Sequence, residues 1–191
     1  MIGAADGVFC LEGQWNSDLQ VSASVLPTLE HLDRAGVMRY IHRDVATRDE
    51  VEYYLGRLRR KQYARYRVVY LAMHGEPGHL WLDNPQRVSV SLPELADLMN
   101  GACRDRYVYL GSCGTLNTSR RVLTEFVNET GAALVCGYTR SVDWVEASAF
   151  DILLLTYLVT LKYRTGAEKY LRGKTFGTWS DHLGLKFVYR R

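Results

Sequence analysis

Two segments set a nucleophile and a proton carrier in matching positions. His74 follows the apolar run 67–73 (RVVYLAM) and precedes Gly75. Cys113 follows a second such run, 106–110 (RYVYL), inside Gly111-Ser112-Cys113-Gly114. A cysteine attacks as its thiolate, and a neighbouring imidazole can take the proton. Each residue alone has a plainer reading, the cysteine as a small buried hydrophobe and the histidine as a structural side chain. Their matched placement is what points to a Cys–His pair. Gly75 and Gly114 flank the two residues and would let backbone N–H groups approach a developing oxyanion. A helix opening just after Cys113 would add its N-terminal dipole in favour of the thiolate. Cys10 and Cys136 lie within apolar runs and Cys103 follows a helix end, so these three read as buried thiols.

The elements that must carry the pair alternate along the chain. Residues 7–11 (GVFCL) form a short apolar run suited to a buried strand. Val25, Leu26, Leu29 and Leu32 recur at helical spacing, and Gly36 closes that helix. A second strand is expected over 37–41. Thr47 with Glu50 makes a capping box that opens a helix reaching about residue 62. After His74, residues 78–82 and 88–90 suit short hairpin strands. Ser91 with Glu94 caps another helix, with Leu92, Leu95, Leu98 and Met99 on one face. A helix over 118–129, a strand over 132–138, a long apolar helix over 145–163 and a final strand over 185–189 complete the pattern. Such alternation predicts an α/β fold with a mainly parallel central sheet and helices on both faces. Ligands in these folds bind beyond the carboxyl ends of the strands, where His74 and Cys113 both stand.

Composition sets the limits. The chain has 191 residues, 47% of them hydrophobic and 24% charged, with four prolines. That length and balance fit one globular domain over 1–191 and argue against disorder. A net charge of +3 carries no nucleic-acid footprint by itself. Four cysteines without a CxxC pair fit reduced thiols better than a disulfide framework. The first ten residues hold Asp6 and no basic stretch, unlike a signal peptide. The longest apolar run, 147–161, is interrupted by Asp151 and falls short of the roughly 20 residues that span a bilayer. The expected setting is cytoplasmic, with no membrane association.

The segments 70–75 (YLAMHG) and 107–114 (YVYLGSCG) resemble the His-Gly and Ser/Ala-Cys blocks of clan CD cysteine peptidases. That group includes caspases, legumain, gingipains, separase and the bacterial CHAT domains. A third block, 134–150 (LVCGYTRSVDWVEASAF), is similar to the CHAT and separase segment in which a strand leads through a Val-Asp turn into a helix. The resemblance implies a caspase–haemoglobinase-like three-layer sandwich and peptide-bond hydrolysis through an acyl-enzyme. Cys113 then matches the nucleophile, His74 the general acid and base, and the amides of Gly75 and Cys113 the oxyanion hole. Asp143 matches the acidic position lining the first specificity pocket, which implies cleavage after a basic residue. Arg is favoured because a guanidinium gains a bidentate contact with a carboxylate. Asp143 equally fits an N-cap for the following helix, and the two roles are compatible. Glu146 is a further substrate-binding candidate on the same turn.

The resemblance also implies no metal or organic cofactor and a protein or peptide substrate. A constitutively active cytoplasmic peptidase would be hazardous, so control by a regulatory protein partner, a ligand or oligomerisation is expected. A bacterial defence or stress setting follows by analogy with CHAT proteins. The sequence departs from the family pattern in places. Gly114-Thr115 stands where CHAT proteins often carry an acidic residue after the Cys. Residues 137–140 (GYTR) replace the usual Leu-Trp, and Arg140 lies three positions before Asp143. The caspase active-site pentapeptide is absent, which argues against an aspartate-directed caspase.

Other functions fit less well. For a phosphate-cradling Cys loop, Arg120 falls one position too late after Cys113. No G-x-S-x-G, G-x-G-x-x-G or P-loop occurs. His74 and His79 bracket HGEPGH, which lacks the ligand spacing of a zinc helix. Arg57, Arg59, Arg60, Lys61, Arg65 and Arg67, interleaved with Tyr63 and Tyr66, could track phosphates while aromatics stack bases. Acidic residues earlier on the same helix favour a solvated face instead, so nucleic acid is not the expected partner. A catalytically silent scaffold is the remaining alternative, and the presence of both Cys113 and His74 argues against it.

Overall fold

The computed structural model describes residues 6–83, 88–161 and 163–190. Residues 1–5, part of the segment read against a signal peptide, and residue 162 of the expected 145–163 helix lie outside them. In chain order the first elements are β1 (Gly7–Glu12), α1 (Leu26–Arg34), β2 (Arg39–Asp44), α2 (Arg48–Leu58) and β3 (Tyr66–Ala72). Next come β4 (His74–Glu76), β5 (His79–Asp83), β6 (Val88–Ser91), α3 (Leu92–Met99), β7 (Tyr107–Gly111), α4 (Arg120–Thr130) and β8 (Leu134–Tyr138). The remainder is α5 (Trp144–Thr160), α6 (Gly166–Leu171), α7 (Gly177–Leu183) and β9 (Leu185–Tyr189).

An open six-stranded sheet runs β2-β1-β3-β7-β8-β9. Its pairs are parallel except β8 with β9. The fold is thus mixed α/β with a mostly parallel central sheet, as expected. The inner strands read as continuous apolar runs because both of their faces are covered. Phe9, Leu11, Val69, Leu71, Val108 and Leu110 pack against α2, α3 and α4. Val8, Cys10, Val68, Tyr70, Tyr109 and Cys136 point the other way, toward α1, α5, α6 and α7. Among the described residues, no helix is long and apolar enough to cross a membrane.

Local signals place most helix starts. Both capping boxes form: Thr47 with Glu50 opens α2 and Ser91 with Glu94 opens α3. Differences from the sequence expectation have local causes. The 37–41 window marks the chain's buried entry at Met38, while the edge strand itself continues through polar residues to Asp44. The expected helix to residue 62 stops at Leu58 and continues as a separate 3-10 turn, Lys61–Tyr63. Helices α6 and α7 have no counterpart in the sequence pattern. Each begins at a glycine, lacks a side-chain cap and spans at most seven residues, too few for a periodic pattern to stand out. His74, expected as the terminus of a central strand, instead begins β4. That strand turns at Pro77 and Gly78 and joins β5 and β6 in a small antiparallel sheet. Gly78 takes φ +79°, which suits the second central position of a type II turn after proline.

The sheet register decides the site. Glu12 lies level with Ala72, and Ala72 with Gly111, so parallel strands β1, β3 and β7 end on one edge. The segments leaving that edge carry Trp15, His74 and Cys113.

Candidate active site

His74 and Cys113 line one cavity of about 180 Å³, together with Trp15, Val142, Trp144 and Asp151. The loop holding Cys113 is laced to the β4–β5 hairpin that holds His74. Gly78 N–H donates to Thr115 O at 3.1 Å. Thr115 Oγ1 donates to His79 O at 3.0 Å and accepts from Ser112 Oγ at 2.8 Å. Gly75 packs directly on this loop: a Cβ there would lie 2.2 Å from Thr115 Oγ1, 2.8 Å from Ser112 Cβ and 2.9 Å from Cys113 O. Only glycine permits that approach, so the main chains of both oxyanion-hole candidates, Gly75 and Cys113, meet in contact.

The imidazole is oriented from outside the pair. His74 Nε2 lies 2.8 Å from Trp15 O. A carbonyl only accepts, so Nε2 carries the proton and Nδ1 is left as the basic nitrogen. The Trp15 indole packs edge-on to the imidazole, with centroids 5.1 Å apart, and edge-on to Trp144 at 4.7 Å. Around the sulfur, Val142 N–H points at Cys113 Sγ from 3.5 Å and Ser141 Oγ from 3.9 Å. Both donors suit negative charge developing on sulfur.

A helix dipole does not contribute at Cys113. Helix α4 begins at Arg120 with Ser119 as its cap, and dipole effects fade within the first turn. A turn intervenes instead: Gly114 adopts φ +66° and donates to Arg140 O at 3.0 Å, while Leu116 N–H donates to Tyr138 O at 3.1 Å.

Asp143 and Glu146 lie outside the lining of this cavity. Asp143 takes the N-cap role for α5, its Oδ1 accepting from Val145 N–H at 2.9 Å and Glu146 N–H at 3.1 Å. Glu146 faces His182, 3.1 Å from its Nε2. The carboxylate that does reach the cavity is Asp151, two helical turns further along α5 and 5% exposed. Hydroxyls of Tyr70, Tyr109 and Tyr138 all donate to it. Burial pushes the Asp151 carboxyl up, and the three hydroxyl bonds only partly pull it back. Burial and the Asp151 charge hold the three phenols well above their ordinary range, hence protonated. The sequence carries a signal for this cluster: a lone charge inside the apolar α5, and a tyrosine in each of three neighbouring core strands.

Trp15 is held by a second buried carboxylate. Glu12, at the end of β1, accepts from Trp15 Nε1, Val25 N–H, Ser24 Oγ and His42 Nε2. Burial alone would push this carboxyl up, but bonds from His42, Ser24, Trp15 and Val25 outweigh it and hold it below the usual carboxylate range. Its contribution to stability is therefore present at neutral pH and lost as acidification passes through that depressed value. Glu12, His42 and Asp44 bring ligand atoms within 4.8 Å of one another. The Glu12 oxygens are already occupied by these four donors, and a cation would have to displace the His42 contact. The arrangement reads as a hydrogen-bonding hub. Glu12→Gln places an amide donor among groups that only donate there, and is expected to cost about 1.5–3 kcal/mol. Urea unfolding of the two proteins checks this; coincident midpoints would contradict the hub.

The basic stretch 57–67 is partly used in packing. Arg59 donates to Asn100 O, Arg67 pairs with Asp6 and bonds Tyr107 OH, and Arg57 stacks on Tyr53.

Residues 5–162 match the model of a family of unknown function (DUF6642). No curated protein matches the chain.

Proposed function

Because the chain belongs to DUF6642, a family of unknown function, we propose its activity from the site itself: a cysteine peptidase of the clan CD kind, built on a caspase–haemoglobinase-like sandwich. Cys113 thiolate attacks the substrate carbonyl carbon, forming a C–S bond. The C–N bond then breaks as His74, protonated at Nδ1, gives its proton to the leaving amine. Water loses a proton to the same Nδ1 and attacks the thioester, releasing the carboxylate product and restoring the thiol. Amides of Gly75 and Cys113 hold the oxyanion, and the residue before the cleaved bond is basic. The setting is cytoplasmic, in bacterial defence or stress. A protein partner, a ligand or oligomerisation controls turnover.

What supports this reading above all is that His74 and Cys113 share one cavity, with His74 Nε2 bonded to Trp15 O, so the free imidazole nitrogen is the one able to serve sulfur. Because that orientation exists in the chain alone, labelling needs no partner. A peptide acyloxymethyl ketone should alkylate Cys113 with loss of its acyloxy group, read by intact mass and peptide mapping. His74→Ala should slow the reaction by about 10²-fold or more, the usual contribution of a positioned proton carrier. No labelling, or the same rate in His74→Ala, would remove the peptidase reading. Full peptide turnover by the purified monomer would refute only the control element.

A further inference from the structure

We propose that Asp151 and the hydroxyls of Tyr70, Tyr109 and Tyr138 form the receptor for a cationic substrate side chain, lysine or arginine, at the buried end of the Cys113–His74 cavity. The proposal rests on the peptidase reading in taking this cavity as the seat of the residue before the cleaved bond. It assigns the charge recognition to Asp151, where the sequence pointed to Asp143.

The acidic group at this end is built in, and no lysine or arginine of the described residues faces it from the cavity lining. Tyr70 OH donates to Asp151 Oδ2 at 2.8 Å, Tyr138 OH to Oδ1 at 2.8 Å, and Tyr109 OH also to Oδ1. These are neutral donors: they spread the carboxylate charge without cancelling it. A carboxylate so buried is costly unless paired; burial pushes this carboxyl up, and a cation seated beside it would favour the ionised form.

The chemistry of the three hydroxyls narrows the ligand further. Each has committed its single proton to Asp151, and all three are almost fully buried, so the cluster turns only oxygen lone pairs, chiefly those of Asp151, toward a ligand. An acceptor-only surface suits a group that donates and never accepts. An ammonium and a guanidinium are the two side-chain groups of that kind. A glutamine amide would set its oxygen against these lone pairs, and a carboxylate would add repulsion. The walls complete the fit. Val25, Val142, Ala147 and the indoles of Trp15 and Trp144 suit the methylene stem of a long basic side chain. The volume of about 180 Å³ lies below the roughly 300–1,000 Å³ of sites for whole small molecules, and so fits one side chain. Asp143, exposed and bonded to the first turn of α5, has none of these properties.

The test separates charge from shape. Binding to the wild-type protein is titrated by NMR with Nα-acetyl-arginine methylamide, its lysine counterpart, and neutral Nα-acetyl-citrulline methylamide, which keeps the arginine shape. At least one cation should bind about 10–100-fold tighter than citrulline, the worth of a charged hydrogen bond, and the tighter one names the side chain. Asp151→Asn should abolish the discrimination and Asp143→Asn should leave it. Equal binding of citrulline, discrimination surviving in Asp151→Asn, or its loss in Asp143→Asn alone would overturn the proposal. If Asp151→Asn fails to fold, the arginine–citrulline comparison in wild type still decides. Failure of the peptidase reading looks different: cation binding intact, but no acyloxymethyl ketone labelling of Cys113. Labelling by a leucine ketone as fast as by an arginine ketone would keep the peptidase and discard the receptor.

Discussion

Cys113→Ala should lower peptide hydrolysis by about 10⁴-fold or more, the scale on which removing a nucleophile removes its covalent route. Stability should move by less than about 1 kcal/mol, because the side chain is half-buried and small. The two readouts together make the result specific. Fluorogenic peptides ending in Arg, Lys, Asp and Leu supply the rates, and thermal unfolding supplies the control. A variant that keeps wild-type turnover would place the chemistry elsewhere in the molecule.

Gly75→Ala should have the next largest effect, although it adds one methyl group. The new Cβ would stand 2.2 Å from Thr115 Oγ1 and 2.9 Å from the Cys113 carbonyl oxygen. Neither neighbour can yield easily. Thr115 Oγ1 is bonded to both Ser112 Oγ and His79 O, and the Cys113 oxygen belongs to the main chain. The loop must therefore move, and with it the sulfur. Overpacking of this kind costs about 1–3 kcal/mol. A misplacement near 1 Å at a reacting centre costs about 10²-fold in rate. Gly114→Ala is the informative contrast, since its Cβ would meet open space and only its φ of +66° opposes the change. It should lose roughly 1–2 kcal/mol with a far smaller effect on kcat. Equal rates in wild type and Gly75→Ala would mean that this contact does not hold Cys113 in place.

Features that depend on neighbours in the chain are readable from the sequence. The two capping boxes are three-residue relations, and both form. Strands β3, β7 and β8 announce themselves as apolar runs because helices cover both of their faces. The strand-end positions of His74 and Cys113 follow from those runs, which is why residue type and spacing alone single out the pair. Relations across the fold are not readable in this way. Trp15 reaches His74 from 59 positions away, and Asp151 reaches Tyr70 from 81. Nothing local marks either meeting, since the sheet register creates both. The dipole expected at Cys113 fails because the turn at Gly114 delays α4 to Arg120. Asp143 illustrates a local signal with two meanings. Its cap is formed, while the cavity receives a carboxylate from two turns further along the same helix.

The group that orients His74 is a main-chain carbonyl, and this changes what heredity can do to it. Every amino acid at position 15 supplies a C=O, so no point substitution deletes the acceptor itself. Drift at this position alters the indole contacts with His74 and Trp144 while the acceptor survives as chemistry. What mutation can reach is the placement of that carbonyl, through the indole's bond to Glu12 and through Ser24 and His42, which share that carboxylate. Alanine scanning would therefore leave the acceptor atom in place and report only on what positions it. The vulnerability of the imidazole's alignment is displaced from the carbonyl that performs it onto a buried carboxylate that never touches His74.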